Sequence, residues 1–90
     1  MVAPKPKFHP QVKFTIIADE GLIITQDSGE VHIVNQVASF LLPLLTGHFT
    51  LEELTDRVMT EFDVGREEAL QDIETFLQDL EARGIIIYES

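Results

Sequence analysis

The sequence predicts an α+β fold in which a three-stranded antiparallel sheet is followed by three helices. Between positions 12 and 34, short apolar stretches rich in β-branched residues alternate with turn residues, which is typical of strands. After position 35, apolar residues recur at intervals of three and four, which is the repeat of a buried helix face. Three helices beside a small sheet make the predicted arrangement winged-helix-like.

The predicted sheet consists of three short strands, at positions 12–16, 22–25 and 31–34. In the first of them, Val12, Phe14 and Ile16 alternate with polar residues, which indicates one buried and one solvated face. Turns are expected at 19–21 and 27–30, because Gly accepts positive φ and Asp and Ser favour turns. Connections this short imply that neighbouring strands are antiparallel.

Residues 1–11 precede the sheet and contain Pro4, Pro6 and Pro10. Because proline fixes φ and has no N–H, this segment is expected to be an extended, flexible arm unless something holds it. Residues 12–90 are expected to form a single domain, because a chain of 90 residues has enough buried surface for one core.

The first helix is expected to begin at Asn35, whose side-chain oxygen can accept a hydrogen bond from the first turn. Pro43 is expected to strain or end this helix before Gly47. The second helix has a capping box formed by Thr50 and Glu53.

The third helix has one continuous apolar face, formed by Ala69, Leu70, Ile73, Phe76, Leu77 and Leu80. Gly84 is the expected residue after its C-terminus. Positions 85–88 are apolar and are either a last strand or a packed tail.

The chain is acidic, with a formal net charge of −10. Residues 1–50 carry three basic and four acidic groups, whereas residues 51–90 carry three basic and twelve acidic groups. An acidic surface repels nucleic-acid phosphates and anionic lipid, and it favours a basic or neutral partner. It also suits an ordinary solvated surface that maintains solubility. Since no apolar run approaches the roughly 20 residues of a membrane span and no export signal is visible, we expect a cytoplasmic protein without a membrane partner.

The sequence contains no pattern of catalytic or metal-binding residues. It has no cysteine, and His9, His32 and His48 lie too far apart to be ligand pairs of the kind found on one helix. No serine stands in a nucleophile elbow, and no glycine-rich phosphate loop is present. We therefore expect a protein that is not an enzyme and that needs no cofactor and no metal.

An ordered set of motifs is similar to a known family. The motifs are GEVHIVN at 29–35, LTG at 45–47, TLEEL at 50–54, FDV at 62–64, DI at 72–73, FLQDL at 76–80 and GII at 84–86. Over about residues 12–87 they resemble the PqqD family, a stand-alone form of the recognition element for ribosomally synthesised, modified peptides. Val34 departs from the pattern, because a Leu usually precedes the Asn, but this is a small change between apolar residues.

The resemblance implies a non-catalytic adaptor that binds the leader segment of a precursor peptide. It would present this leader to a modifying enzyme or leader peptidase in a lasso-peptide, pyrroloquinoline quinone or similar pathway. The leader would add as a strand to the edge of the third strand and lie over the third helix. The implied contact residues are Glu30, Val31, His32, Ile33 and Val34 in the strand and Ala69, Asp72, Ile73, Phe76 and Leu80 in the helix.

Residue patterns assign these positions different roles. Alternation along the third strand is expected to point Val31 and Ile33 into the core, which makes His32 and Val34 the better contact candidates. The apolar face of the third helix packs the core first and leaves a margin for a leader side chain. Asp72 is either a solvated residue or a leader contact. An exposed pair between such an acid and a basic leader residue contributes about 0–1 kcal/mol.

Three other functions compete with the adaptor. One is a small enzyme or metal protein, which the missing catalytic and metal-ligand patterns disfavour. A winged-helix nucleic-acid-binding module needs basic residues around the helix that enters the groove, whereas the third helix has Arg66 and Arg83 against six acids between 67 and 81. An oligomerisation module would pair exposed strand edges between copies. The expected oligomeric state is therefore a monomer or a homodimer.

Overall fold

The computed structural model describes residues 4–26 and 28–89. Within these residues the fold has five strands and three helices, which in chain order are β1 (Lys5–Phe8), β2 (Val12–Ile17), β3 (Glu20–Thr25), β4 (Val31–Val34), α1 (Gln36–Leu41), α2 (Leu51–Glu61), α3 (Arg66–Ala82) and β5 (Ile86–Glu89). The α+β class and the order of a three-stranded sheet followed by three helices are as predicted. The two outermost strands of the chain form a second, two-stranded sheet.

The three-stranded sheet has the order β2-β3-β4, and both pairings are antiparallel. Ala18 and Asp19 connect β2 to β3, with φ angles of 51° and 67°. Positive φ at both central residues characterises the two-residue hairpin turn whose twist matches that of the strands. The first turn therefore lies one residue earlier than predicted, and Gly21 belongs to β3. In the second predicted turn, Asp27 lies outside the described residues.

Gly21 holds β3 against α1. Its N–H donates to the Oγ atom of Ser39 at 2.7 Å, and Ser39 Oγ in turn donates to the carbonyl oxygen of Asn35 at 2.8 Å. A Cβ atom at position 21 would lie 2.7 Å from Ser39 Oγ and 2.9 Å from Leu42 Cδ1. The sheet and the start of α1 approach each other so closely that nothing larger than glycine fits at position 21.

We expect Gly21→Ala to lower the free energy of unfolding by about 1–3 kcal/mol, because the added methyl group overpacks this contact. Urea unfolding of the variant and the parent chain measures the difference. The matched control is Gly65→Ser, since a Cβ there meets nothing within 4 Å and serine suits the N-cap position of α3. An equal loss of stability in both variants would show that the contact at position 21 is not tight.

Residues 5–8 of the N-terminal segment form a strand that is part of the fold. β1 pairs antiparallel with β5, Pro6 is fully buried, and the carbonyl oxygen of Pro6 accepts a hydrogen bond from Gly47 at 3.0 Å. The segment was expected to be extended and flexible unless something holds it, and at residues 5–8 the C-terminal strand β5 supplies that partner. Residues 1–3 lie outside the described residues.

The helix starts confirm the predicted caps. Asn35 Oδ1 accepts from the N–H of Ala38 at 2.8 Å, and both hydrogen bonds of the capping box between Thr50 and Glu53 are present. The latter bonds lower the pKa of Glu53. α1 continues into one turn of 3₁₀-helix at Leu42–Leu44, which contains Pro43. This tighter turn fits a residue that has no N–H to donate.

The core lies between the three-stranded sheet and the helices. Its fully buried members are Ile23, Leu41, Leu42, Leu45, Leu54, Val58, Ala69, Ile73, Leu77, Leu80, Ile85 and Ile86. All three helices contribute to this list, and α3 contributes the longest stripe. Four of the six residues predicted for the apolar face of α3 belong to this core, whereas Leu70 and Phe76 are half-buried.

Candidate functional site

β4 is an edge of the three-stranded sheet. It pairs with β3 on one side, and in the part of the chain that the structure describes no strand pairs with its other side. An edge strand presents backbone N–H and C=O groups that can pair with another chain. With four residues, β4 is short, which limits unspecific pairing.

The register of the hairpin indicates which backbone groups of β4 are directed toward this free edge. The N–H of Thr25 donates to the carbonyl oxygen of Glu30 at 3.0 Å, so these two opposed residues form a hydrogen-bonded pair. Opposed pairs along an antiparallel ladder alternate between hydrogen-bonded and non-hydrogen-bonded. Val31 and Ile33 therefore occupy non-hydrogen-bonded positions, and their N–H and C=O groups point away from β3.

The side chains of β4 face the opposite way from the prediction. Val31 and Ile33 are 56% and 68% exposed, whereas His32 and Val34 are half-buried. Ile23 lies opposite His32 and is fully buried, which marks this side as the core face. The expectation that Val31 and Ile33 point into the core is wrong, because alternation separates two faces without showing which one the helices cover.

A groove runs along α3, first beside β4 and then beside α1; we call it the β4–α3 groove. The part beside β4 has a volume of about 280 Å³, and its lining includes His32, Ile33, Val34, Phe76, Leu80 and Arg83. The part beside α1 has a volume of about 590 Å³, and its lining includes Val37, Leu41, Gln71, Asp72, Ile73 and Thr75. The two parts are continuous, because both are lined by Asn35, Ala38, Phe76 and Asp79.

The β4–α3 groove combines an apolar floor with a charged rim. Phe76 is half-buried and lines both parts of the groove. Asp72 and Asp79 are exposed on the rim, and Arg83 Nε donates to both carboxylate oxygens of Asp79 at 3.1 Å. An exposed pair of this spacing contributes only about 0.3–0.5 kcal/mol, so it can open when another charged group approaches.

Most of the sequence-predicted site residues meet at this groove. Those that line it are His32, Ile33, Val34, Asp72, Ile73, Phe76 and Leu80. Three others do not. Glu30 accepts a hydrogen bond from Ser28 in the turn before β4, Val31 lies on the outer face of the sheet, and Ala69 is buried in the core.

Several lining residues were missed by the sequence reasoning. Thr75, Asp79 and Arg83 lie on the same stripe of α3 as Asp72 and Phe76, at spacings of three and four residues. Helical periodicity extended from Asp72 would have found them. The residues contributed by α1 had no such signal, because only the packing of α1 beside α3 brings them to the groove.

Residues 4–26 and 28–89 lack the features of a metal site and of a membrane-spanning helix. These residues contain no group of three or more His, Cys, Asp or Glu side chains that could hold a metal ion. None of the helices described is both long and apolar enough to cross a membrane.

Two solved structures share this fold over most of their length. One is TbiB1 in complex with the TbiA(beta) leader peptide, which is 25% identical, has a TM-score of 0.80 and aligns over 89% of this chain and 93% of that chain. The other is lasso peptide synthetase B1 complexed with the leader peptide, which is 18% identical, has a TM-score of 0.80 and aligns over 92% of this chain and 98% of that chain. The second similarity concerns the fold alone.

A comparison with curated proteins found no matching relative. The family model described as coenzyme PQQ synthesis protein D (PqqD) matches residues 20–86, a range that includes β3, β4, the three helices and the start of β5. Since this match covers well over half of the sequence, the chain belongs to the PqqD family.

Proposed function

We propose that this chain is a non-catalytic adaptor that binds the leader segment of a ribosomally synthesised precursor peptide in the β4–α3 groove. The observation that carries the proposal is a strand edge without a partner in the described structure that opens onto a groove with an apolar floor. The similarity to TbiB1, which was solved with a leader peptide bound, supports it.

The backbone of β4 would supply the first set of contacts. A peptide that adds as a strand takes its affinity from main-chain hydrogen bonds, here to the N–H and C=O groups of Val31 and Ile33. Alternate side chains of the added strand would point toward Phe76 and Leu80, where burial of apolar area stabilises the complex by about 25 cal/mol per Å². The intervening side chains would lie beside Val31 and Ile33 on the outer face.

The remaining residues named from the sequence would have secondary roles. Glu30 would support the turn at the start of the added strand, and Ala69 would support α3 from the core side. Asp72 and Asp79 favour a basic residue in the leader, with about 0–1 kcal/mol for each exposed pair. The acids of α3 also disfavour nucleic acid as the ligand.

The adaptor would present the leader to the modifying enzyme or leader peptidase of the same pathway, and would do so in the cytoplasm. The pathway would make a lasso peptide, pyrroloquinoline quinone or a similar product. No bond is made or broken by the adaptor itself, because its contribution is to raise the concentration of the precursor beside the enzyme.

The test is a titration of the ¹⁵N-labelled chain with the leader of the precursor peptide encoded beside its gene, followed through the backbone amide shifts. We expect saturable shifts that cluster at residues 30–34 and along 69–80. The absence of saturable shifts at high micromolar leader would contradict the proposal, as would shifts confined to residues outside the β4–α3 groove.

We expect Phe76→Ala to weaken leader binding about tenfold or more, because an aromatic side chain at the centre of an interface commonly carries over 1 kcal/mol. Phe76 lines both parts of the groove. The measurement is the fluorescence anisotropy of a labelled leader peptide.

The control is Phe49→Ala. Phe49 is also half-buried against the core, but it lies under Arg57 on α2 and away from the groove. This variant should lose stability and keep its leader affinity. If both variants bound the leader equally weakly, the effect of Phe76 would come from general loosening of the fold.

A further inference from the structure

A second groove lies on another side of α3, where the first turn of α2 and strand β5 approach it; we call it the α2–β5 groove. It has a volume of about 600 Å³. Its α3 residues include Glu74 and Glu81, whereas the β4–α3 groove uses Asp72 and Asp79. A step of two residues corresponds to a rotation of about 200° around the helix axis, so the two grooves open in nearly opposite directions. They share no lining residue.

The floor of the α2–β5 groove is apolar. It consists of Leu51 from α2, Leu77 from α3 and Tyr88 from β5, and Pro4, which precedes β1, also lines the groove. Leu77 is buried, Leu51 is half-buried, and Tyr88 retains 37% of its exposure. A partner that covers this floor would remove apolar area from water, which is the main source of affinity at protein interfaces.

The rim of this groove is negative. Glu52, Glu74 and Glu81 are exposed on it, and the residues that line it include no lysine, arginine or histidine. Burial and, second, the nearby Glu81 carboxylate raise the pKa of Tyr88. Both residues line the groove. An aromatic ring beside a carboxylate suits a guanidinium or ammonium group, which can stack on the ring and pair with the acid.

We propose that the α2–β5 groove is a docking site for a basic segment of a protein partner. An apolar side chain of that segment would cover Leu51 and Leu77, and an adjacent arginine or lysine would stack on Tyr88 and pair with Glu81. The groove and the chemistry of its ligand do not depend on the proposed function. Only the identification of the partner as the enzyme that receives the leader rests on it. Because the two grooves are on different sides of α3, leader and enzyme would be held at the same time.

The probe is a blocked tetrapeptide, N-acetyl-Leu-Arg-Lys-Leu-amide, titrated into the full ¹⁵N-labelled chain. We expect saturable amide shifts at Leu51, Leu77 and Tyr88, without a cluster at residues 31–34. N-acetyl-Leu-Glu-Glu-Leu-amide has the same apolar ends and the opposite charge, and we expect it not to bind. Added salt should weaken binding of the basic peptide, since exposed charges are screened.

The double variant Glu74→Gln/Glu81→Gln tests the rim. Both side chains are exposed, so we expect the fold to be retained and the affinity for the basic peptide to fall about fivefold. The control Glu61→Gln/Glu68→Gln removes the same charge from exposed positions outside the groove, and it should change the affinity by less than about twofold.

Three results would overturn this inference. The first is the absence of saturable shifts at millimolar basic peptide, and the second is an equal effect of the two double variants on the affinity. The third is a shift of the groove amides that depends on protein concentration in the absence of peptide, because it would identify a second copy of the chain as the occupant. The leader titration is a separate measurement. Leader binding without binding of the basic peptide overturns only the docking site, whereas the reverse result overturns the adaptor function and supports the docking site.

Discussion

Ile33→Pro is expected to weaken leader binding at least about tenfold while the chain remains folded. The N–H of Ile33 points to the free edge of β4, so its removal costs no hydrogen bond to β3. Proline is tolerated in edge strands where the missing N–H would face outward. Its ring would occupy the position at which a leader carbonyl approaches, so both a hydrogen bond and the close pairing of the strands are lost. Anisotropy of a labelled leader measures the affinity, and circular dichroism checks the fold.

Two neighbouring variants complete this test. Ile33→Thr keeps the N–H and a β-branched side chain, and we expect it to change the affinity by less than about threefold. His32→Pro removes an N–H at a hydrogen-bonded position of the β3–β4 ladder, and we expect it to destabilise the fold. If Ile33→Pro bound the leader as tightly as the parent chain, the leader would not add as a strand at this edge.

Ile73→Ala is expected to lower the free energy of unfolding by about 2–5 kcal/mol, which is the usual cost of a large-to-small change in a core. Ile73 is 1% exposed and belongs to the core cluster, although it also lines the β4–α3 groove. Urea unfolding measures the change. A loss of this size is large for a domain whose total stability is of the order of 5–15 kcal/mol.

Thr75→Ala is the control for Ile73→Ala, because Thr75 lines the same groove from α3 and is exposed. We expect its effect on stability to stay within about 0.5 kcal/mol. A variant Ile73→Ala that kept its stability and lost leader binding would show that Ile73 is a ligand contact and that it contributes little to the core.

Helix α3 serves three surfaces through three stripes of side chains. Ala69, Ile73, Leu77 and Leu80 form the core stripe, which explains why the apolar periodicity of the sequence is so regular. A second stripe, with Asp72 and Phe76, forms one wall of the β4–α3 groove, and a third, with Glu74 and Glu81, forms the rim of the α2–β5 groove. The expected effect of a substitution in α3 therefore depends on which of these stripes contains the substituted residue.

The sequence by itself determined the features that depend on neighbouring residues. The cap at Asn35, the capping box at Thr50 and the apolar face of α3 were all predicted, because each needs only interactions within one helical turn or one helix face. The fold class followed from the same local periods. The motifs that resemble the PqqD family also predicted the family, which the match of the family model to residues 20–86 confirms.

Only the tertiary structure decided the features that depend on distant partners. The strand at residues 5–8 could not be predicted, because its partner lies at the other end of the chain. The exposed orientation of Val31 and Ile33 depends on which face of the sheet the helices cover. The residues of α1 in the β4–α3 groove and the whole α2–β5 groove arise from packing between elements, and no local period of the sequence encodes such packing.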